Sequence, residues 1–314
     1  MRVISVFLLC SSSLLAQSAG VPRLGWVEAG EPGRLLPVSG VAGAAQLDES
    51  AAWNLAGHRI AALQPSGSLA VLASDDGAVL LTRIGGGETP AAPLEGAIEA
   101  PRSVAWSPSG DALLVAGGDR LQIWKIPSGG QAALLREIPV SAEDAAVSDG
   151  GSLVLARMDG VLYLIAEDGA MQEVSRQASG PFTFLAGSRR FAWLESDGAK
   201  IGGDWGEPQT EPFHLDGETV QRFVASPAPR SLLLAESGGG GTVVQLWTEE
   251  RGWSGQWRLP AHVQGFVPTG APGVLRLLSS EPGPLWMADA GALQPAVFFV
   301  PAGQTAQDAN GGDQ

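Results

Sequence analysis

The sequence predicts an all-β protein built as a single β-propeller, with seven blades of about four antiparallel strands each. Three series of residues recur along the chain at intervals of about 40 residues. That period, with several short strands in each repeat, is typical of a propeller blade. The three series are in phase with one another, which indicates a true repeat. A propeller of six blades is the alternative prediction.

The clearest repeat unit covers residues 100–130, with the sequence APRSVAWSPSGDALLVAGGDRLQIWKIPSGG. It contains short apolar runs at 103–106, 112–116 and 121–126, separated by the turn sequences SPSG and GGD. Turn residues between apolar runs of this length predict an antiparallel meander. The unit therefore predicts three strands of one blade, with Trp124 in the third strand.

The other units repeat these features. The third-strand series is Trp26, Leu81, Trp124, Tyr163, Trp205, Trp247 and Trp286. The turn before that strand gives the series Gly77, Gly118, Gly160, Gly198, Gly240 and Gly283, and the first turn gives Gly67, Gly110, Gly150, Ser188, Pro229 and Ala271. Second strands such as LAVLA and SLLLA are continuously apolar, which is typical of strands covered on both faces. Neighbouring blades would supply that cover.

The segment SVAWSPSGDALLVAGGDRLQIWKI resembles a WD40-type blade, with SPSG at the first hairpin and Trp124 at the position of that family's Trp-Asp pair. The sequence departs from the family where Lys125, Leu164, Gly206, Thr248 and Met287 follow the third-strand residues in place of Asp. Only the unit at 56–97 opens with a Gly-His pair, Gly57-His58. The chain is most similar to divergent WD40-like propellers of secreted bacterial proteins. The resemblance implies the fold and carries no activity with it.

The N-terminal residues 1–20 predict a secretory signal peptide. Arg2 precedes an apolar run, and the segment ends in small residues, AQSAG, as cleavage sites do. The run is too short to span a bilayer as a helix. We therefore expect a secreted or periplasmic protein with no membrane span after signal cleavage. Its only cysteine, Cys10, would leave with the signal peptide, so no disulfide is expected.

The propeller is predicted over residues 21–301. Residues 22–41 match only the third and fourth strands of a unit, and the extra residues at 41–54 predict either a longer loop or an added strand. Six blades with an N-terminal hairpin therefore stay open. Complete units are predicted at 56–97, 98–139, 140–178, 179–215, 216–258 and 259–301. Residues 302–314, AGQTAQDANGGDQ, are small and polar and predict a disordered tail.

Charge and motifs exclude several functions. The net charge is −14 with no run of Lys or Arg, which makes nucleic acid and anionic membranes poor partners. The sequence has no GxSxG, HExxH or phosphate-binding glycine motif, and only three histidines. We therefore predict no cofactor and no metal site of the Cys/His type. We expect a monomer that binds an unknown protein or envelope component.

Two groups of residues are candidates for binding. The first strands of the blades would line a central channel, and the residues that open those strands would meet at one mouth. They are His58, Arg102, Asp144, Arg222 and His262, joined by Arg59 and Glu143. Such a ring of polar side chains could hold a small polar or anionic ligand, or place a histidine as a general base.

The second group consists of Trp53, Trp253 and Trp257, which the sequence places in or beside loops. These three indoles are free to contact a partner, whereas the other strand tryptophans are expected to fill the blade core. Two functions follow. The favoured one is an exported, non-enzymatic propeller that acts as a protein- or ligand-binding scaffold. The alternative is a propeller hydrolase, similar to lactonases, with its site at the channel mouth.

Overall fold

The protein is a β-propeller of seven blades, as the repeat period predicts. The computed structural model describes residues 22–28, 33–55, 57–65, 67, 69–84, 91–127, 131–205, 212–213, 221–279 and 283–301. Within these residues, seven small antiparallel sheets of four strands each form a ring. The predicted signal peptide, 1–20, and the predicted tail, 302–314, lie outside them. No described helix is long and apolar enough to cross a membrane.

The strands of each blade follow one another along the chain. Blade 1 contains β1 (Arg23–Glu28), β2 (Arg34–Ser39), β3 (Gln46–Leu47) and β4 (Trp53–Asn54). Blade 2 contains β5 (His58–Leu63), β6 (Leu69–Ser74), β7 (Val79–Arg83) and β8 (Ala92–Pro93). Blade 3 contains β9 (Ser103–Trp106), β10 (Ala112–Gly117), β11 (Arg120–Lys125) and β12 (Ala133–Ile138). Blade 4 contains β13 (Asp144–Val147), β14 (Val154–Met158), β15 (Val161–Ile165) and β16 (Met171–Ser175).

The remaining three blades have the same plan. Blade 5 contains β17 (Ala178–Phe184), β18 (Phe191–Glu195), β19 (Gly198–Gly202) and β20 (Pro212–Phe213). Blade 6 contains β21 (Gln221–Ala225), β22 (Ser231–Gly238), β23 (Gly241–Thr248) and β24 (Gly252–Leu259). Blade 7 contains β25 (Val263–Pro268), β26 (Val274–Ser279), β27 (Leu285–Asp289) and β28 (Ala296–Val300). In blades 2 to 7 the first strand is the inner strand and the fourth is the outer strand.

The hydrophobic core lies between the blades. Each apolar cluster combines side chains of two neighbouring sheets, as where Val71 of blade 2 and Trp124 of blade 3 share one cluster. The second strands are buried on both faces, and β10 is buried at every residue. This explains their continuously apolar sequences, because each face of the sheet is covered by a different neighbour. Among the described residues every apolar cluster is shared by two blades, so the sheets stabilise one another around the ring.

Blade 1 differs from the prediction. Its strands β3 and β4 both pair with β2, at opposite ends of that strand. The sheet is thus three strands wide, because β3 and β4 share the position beside β2. Trp26 lies in β1, the first strand of its sheet, and not in a third strand as its place in the series predicts. Of the two alternatives for residues 41–54, the structure shows added strands, although each is only two residues long.

The ring closes where blade 1 meets blade 7. The N–H of Trp26 donates to the carbonyl of Thr269 over 2.7 Å, and the Thr269 hydroxyl donates to the carbonyl of Leu24 over 3.1 Å. Arg276 Nη1 donates to the carbonyl of Glu28 over 2.7 Å. On the other side, Trp26 and Leu35 share a cluster with Leu72 of blade 2. Hydrogen bonds and an apolar cluster with blade 7, together with apolar contact with blade 2, therefore hold the first sheet in the ring.

Two other sequence positions are corrected by the structure. Trp205 lies beyond β19, so it does not occupy the third strand of blade 5, although it packs against the cluster shared by blades 4 and 5. The segment around Trp253 and Trp257, predicted as a loop, is the eight-residue outer strand β24. The glycines and polar side chains of β24 are typical of a loop sequence, and they are tolerated in this strand because the outer strand of a blade faces solvent.

Candidate functional site

The predicted mouth is formed by the beginnings of the inner strands. The strands β5, β9, β13, β17, β21 and β25 contact one another in that order around the ring. Residues just before β9 and β13 touch, since Arg102 Nη1 donates to the carbonyl of Ala142 over 2.8 Å. Residues just after the same strands also touch, since the N–H of Ser109 donates to the Asp149 carboxylate over 2.8 Å. These strands therefore run in the same direction and begin at one end of the ring.

All five predicted mouth residues lie at the beginnings of inner strands. His58 and Asp144 are the first residues of β5 and β13, and Arg222 is the second residue of β21. Arg102 and His262 directly precede β9 and β25. His58, Asp144 and His262 are partly buried, and Arg102 is exposed. Five blades thus each bring one ionisable residue to the same end of the ring.

Arg157 is a further residue of this site that the sequence analysis missed. It lies on β14, directly opposite Asp144 in the antiparallel register. Its Nε is 3.5 Å from the Glu143 carboxylate and its Nη2 is 3.7 Å from the Asp144 carboxylate. Its Nη1 donates to the carbonyl of Gly180 over 3.2 Å. Glu143 and Asp144 therefore share this one cation.

The ring of Phe182 supports the Arg157 guanidinium from blade 5, at 5.7 Å from ring centroid to Cζ. Contact between a guanidinium and an aromatic face is attractive and fixes the cation in one plane. Arg157 therefore connects blade 4 to blade 5 and at the same time fixes the two carboxylates of blade 4. The sequence could have indicated Arg157 through the hairpin that pairs residues 144–147 with 154–157, because the register of this hairpin places Arg157 opposite Asp144.

The Asp144 carboxyl has an altered acidity. Burial among the inner strands raises its pKa above the ordinary value, and the Arg157 guanidinium and the N–H of Ala145 oppose this increase without cancelling it. The side chain still keeps 47% of its surface exposed. A carboxyl group whose pKa is raised and which solvent can reach is suited to exchange protons with a ligand or to accept a hydrogen bond from it.

Arg102 presents a cation at the mouth. One of its nitrogens donates to the carbonyl of Ala142, which connects blade 3 to blade 4. An arginine has five N–H donors, so this single bond leaves the guanidinium able to bind a further acceptor. With Arg102 beside the Glu143, Asp144 and Arg157 cluster, the mouth offers both signs of charge to a polar ligand.

The three candidate tryptophans lie on outer strands, Trp53 in blade 1 and both Trp253 and Trp257 on β24 of blade 6. Trp53 is in β4 of blade 1 and is partly buried against the cluster shared with blade 2. Trp257 is partly buried against the cluster between blades 6 and 7. Trp253 is exposed by 44% and pairs with Trp247 across the sheet. Of the three, Trp253 presents the most surface to a partner.

A cleft of roughly 380 Å³ lies between blades 6 and 7, at the end of the ring opposite the mouth. Its lining is mixed, with Arg230, Thr248 and Glu249 from blade 6 and Ala292 and Leu293 from blade 7. Glu249 is already engaged by Arg190 at 3.1 Å and by Arg230 at 3.6 Å. Among the described residues no group of three or more His, Cys, Asp or Glu side chains is placed to hold a metal ion.

Comparison with protein-family models finds no match, and comparison with curated proteins finds no relative. The WD40 resemblance thus stays a prediction from the residues, whereas the seven-blade propeller is observed.

Proposed function

We propose that the protein is an exported, non-enzymatic propeller that acts as a binding scaffold, with the channel mouth as its ligand site. One observation carries the proposal: inner strands of five blades begin with an ionisable residue at the same end of the ring, namely His58, Arg102, Asp144, Arg222 and His262. A concave site with a few converging polar groups is the usual form of a small-molecule site.

The chemistry of the mouth favours a small polar or anionic ligand. Arg102 is exposed and uses one nitrogen for the carbonyl of Ala142, so it can hold a carboxylate or phosphate through its other N–H groups. The Asp144 carboxyl, whose pKa is raised by burial, can accept a hydrogen bond from a hydroxyl or amine of the same ligand. The expected export, which rests on the signal-peptide prediction, places the scaffold where it meets envelope components.

The experiment is a thermal-melt and calorimetric screen with phosphate, citrate and glucuronate as anionic probes, and choline as a cationic comparison. We expect at least one anionic probe to raise the melting temperature and choline to leave it unchanged. The Arg102→Ala variant should lose that increase, because the guanidinium that faces the anion is gone.

Arg83→Ala is the matched control, since it removes an exposed arginine from the far end of β7 in blade 2 with the same change of charge. It should keep the full response to the probe. A screen without any shift would contradict the proposal, and so would a shift that persists in Arg102→Ala.

A propeller hydrolase is the second candidate, and the raised pKa of Asp144 is the observation that favours it. A carboxyl with its pKa moved toward neutrality, half-exposed and beside a fixed cation, is suited to general acid or base catalysis. Hydrolysis of fluorogenic esters and lactones by the protein would support this function. Asp144→Asn should then abolish the activity, whereas Asp119→Asn, at an exposed turn of the same charge type, should leave it unchanged.

A further inference from the structure

Six of the seven blades have an outer strand that is poorly suited to pairing with another chain. In blades 1, 2 and 5 the described parts of the outer strands β3, β4, β8 and β20 are two residues long, and β8 and β20 each contain a proline. In blades 3, 4 and 6 the outer strands β12, β16 and β24 each have a register shift against their partner. Short length, proline and bulges are the known means by which sheets avoid edge-to-edge pairing.

The bulges lie at equivalent positions. In β12 the register moves between the partners of Ile123 and Trp124, in β16 between those of Leu162 and Tyr163, and in β24 between those of Leu246 and Trp247. These outer strands also carry charge, such as Arg136 in β12 and Glu173 in β16. A bulge bends the free edge and breaks its regular row of N–H and C=O groups. Each of these edges therefore resists an added strand.

The outer strand of blade 7 lacks every one of these features. The strand β28 (Ala296–Val300, AVFFV) pairs with β27 in unbroken register over its whole length. It contains no charge, no proline and no glycine, and among the described residues β27 is its only strand partner. Phe299, which stacks edge-on against Trp286 with ring centroids 5.9 Å apart, remains 53% exposed. A regular, apolar, uncharged edge of this kind is a template for a further strand.

The prolines that flank β28 lie symmetrically about its central residue. Proline stands on both sides of the strand, at Pro295 and Pro301, and Phe298 lies midway between them. If two copies pair antiparallel about Phe298, Val297 of each copy lies opposite Phe299 of the other, and the prolines end the ladder at both ends. Aromatic residues opposite β-branched ones are favourable cross-strand pairs. No like charges meet anywhere in the pairing.

We propose that β28 is a homodimer interface, in which the β28 edges of two copies pair antiparallel and join two blade 7 sheets into one sheet of eight strands. The exposed ring of Phe299 becomes covered by the second copy. Nearby Leu293, which is fully exposed and lies at the entrance to β28, adds apolar surface. The pairing departs from the expectation of a monomer.

The expected dimer is weak and depends on salt. A ladder of five residues buries less surface than the roughly 1,200–2,000 Å² typical of stable complexes, so we expect dissociation in the micromolar range. The net charge of −14 per chain opposes association of two copies, whereas the interface itself has no ion pairs. Added salt screens that repulsion. The dimer fraction should therefore rise with ionic strength, and a dimer that dissociates at high salt would contradict an uncharged interface.

Sedimentation velocity over a wide range of protein concentration tests the proposal. The wild-type protein should pass from monomer to dimer as concentration increases. The Phe299→Lys variant places a charge on the edge strand and should weaken dimerisation by at least tenfold. Met171→Lys is the matched control: Met171 is exposed to 55%, close to the exposure of Phe299, and lies on the bulged outer strand of blade 4. It should leave dimerisation unchanged.

Hydrogen exchange of the β28 amides provides a second measurement that does not depend on a variant. Protection of these amides should increase with protein concentration in the wild type. A protein that stays monomeric over the whole range overturns the proposal, as does a dimer that Phe299→Lys leaves intact. If β28 is instead protected at all concentrations, and loses that protection when the chain ends at Pro301, the edge is occupied by the chain's own last residues and a second copy is excluded.

Discussion

At the scale of single residues, the blades are connected by carboxylates in the first turns. Asp111 of blade 3 accepts the N–H of Gly150 in blade 4 over 2.9 Å and the ammonium of Lys125 over 2.8 Å. Asp149 of blade 4 accepts N–H groups on both sides, from Ser109 at 2.8 Å and from Gly187 at 2.7 Å. Two aspartates thus bridge three blades. The sequence shows Asp after SPSG and after Ser148, but not that either one reaches across to a neighbour.

Asp111→Asn should reduce stability in a manner that depends on pH. Burial, the largest single influence, raises the pKa of the Asp111 carboxyl, but the N–H of Gly150, Lys125 and Ser109 together lower it below the ordinary value. The stabilisation by a carboxylate whose folded pKa is depressed is complete above its unfolded pKa, and is lost as the pH falls through the folded pKa. At neutral pH we expect a loss of about 1 kcal/mol, because the carboxylate is partly screened by solvent.

Urea unfolding at neutral pH and at pH values below the unfolded pKa of about 3.9 measures this difference. The gap between wild type and Asp111→Asn should narrow in acid, where the wild-type carboxylate becomes protonated. Asp119→Asn, in an exposed turn of the same blade, serves as the control and should behave as wild type throughout. An equal loss at both pH values would mean that Asp111 stabilises by packing and not by its charge.

At the candidate site, too, the sequence predicts where residues lie but not which side chains contact one another. The convergence of Arg102 and Asp144 was predictable, because first strands of successive blades run in one direction. The role of Arg157 was not, because it depends on which residues of β13 and β14 lie opposite one another. The raised pKa of Asp144 likewise depends on burial, which a sequence does not show.

At the scale of strands, the sequence predicts best where a strand is buried. The second strands stand out as apolar runs because both of their faces are covered. The outer strand β24 was mistaken for a loop because it faces solvent and contains Gly252 and Gly255. In blade 1, strands of two residues are too short to carry any periodic signal. The third strand of blade 5 ends before Trp205, so an aromatic residue at the right spacing misled the prediction.

Trp124→Ala should be far more destabilising than Trp253→Ala. Trp124 is 3% exposed and fills the space between blades 2 and 3, so its removal leaves a cavity and should cost about 3–5 kcal/mol. Trp253 is 44% exposed on an outer strand, and its replacement should cost about 1 kcal/mol or less. Chemical unfolding of both variants checks this. Equal losses would show that the outer strand of blade 6 contributes as much as the core.

At the scale of the whole molecule, stability depends on closing the ring between the two ends of the propeller. Gly25 of β1 has φ +107°, and a Cβ at this position would lie 2.3 Å from Thr269 Oγ1 and 2.4 Å from the Thr269 carbonyl. Only glycine allows this approach, which brings Leu24 and Trp26 within hydrogen-bonding distance of blade 7. Glycine at position 25 is thus required by closure of the ring and not by the repeat that places Trp26 in the third-strand series.

Gly25→Ala should open the ring. A positive φ alone costs an alanine about 1–3 kcal/mol, and the collision with Thr269 adds to this, so we expect a loss of several kcal/mol and a broadened transition. Gly43→Ala is the matched control, because Gly43 also has a positive φ, +85°, but nothing lies within 4 Å of its added Cβ. Calorimetry of the two variants separates the two effects. A similar loss in both would mean that backbone strain, and not closure, is responsible.

Closure of the ring also determines the order in which a newly synthesised chain can fold. The hydrogen bond between Leu24 and Thr269 joins residues 245 positions apart. Blade 1 is therefore synthesised first and can contact blade 7 only after the whole propeller has been synthesised. Until then the apolar faces of β1 and β2 lack half of their cover. The nascent chain therefore cannot finish folding blade by blade on the ribosome. A product that stops before blade 7 keeps an open ring, which exposes it to proteases and aggregation.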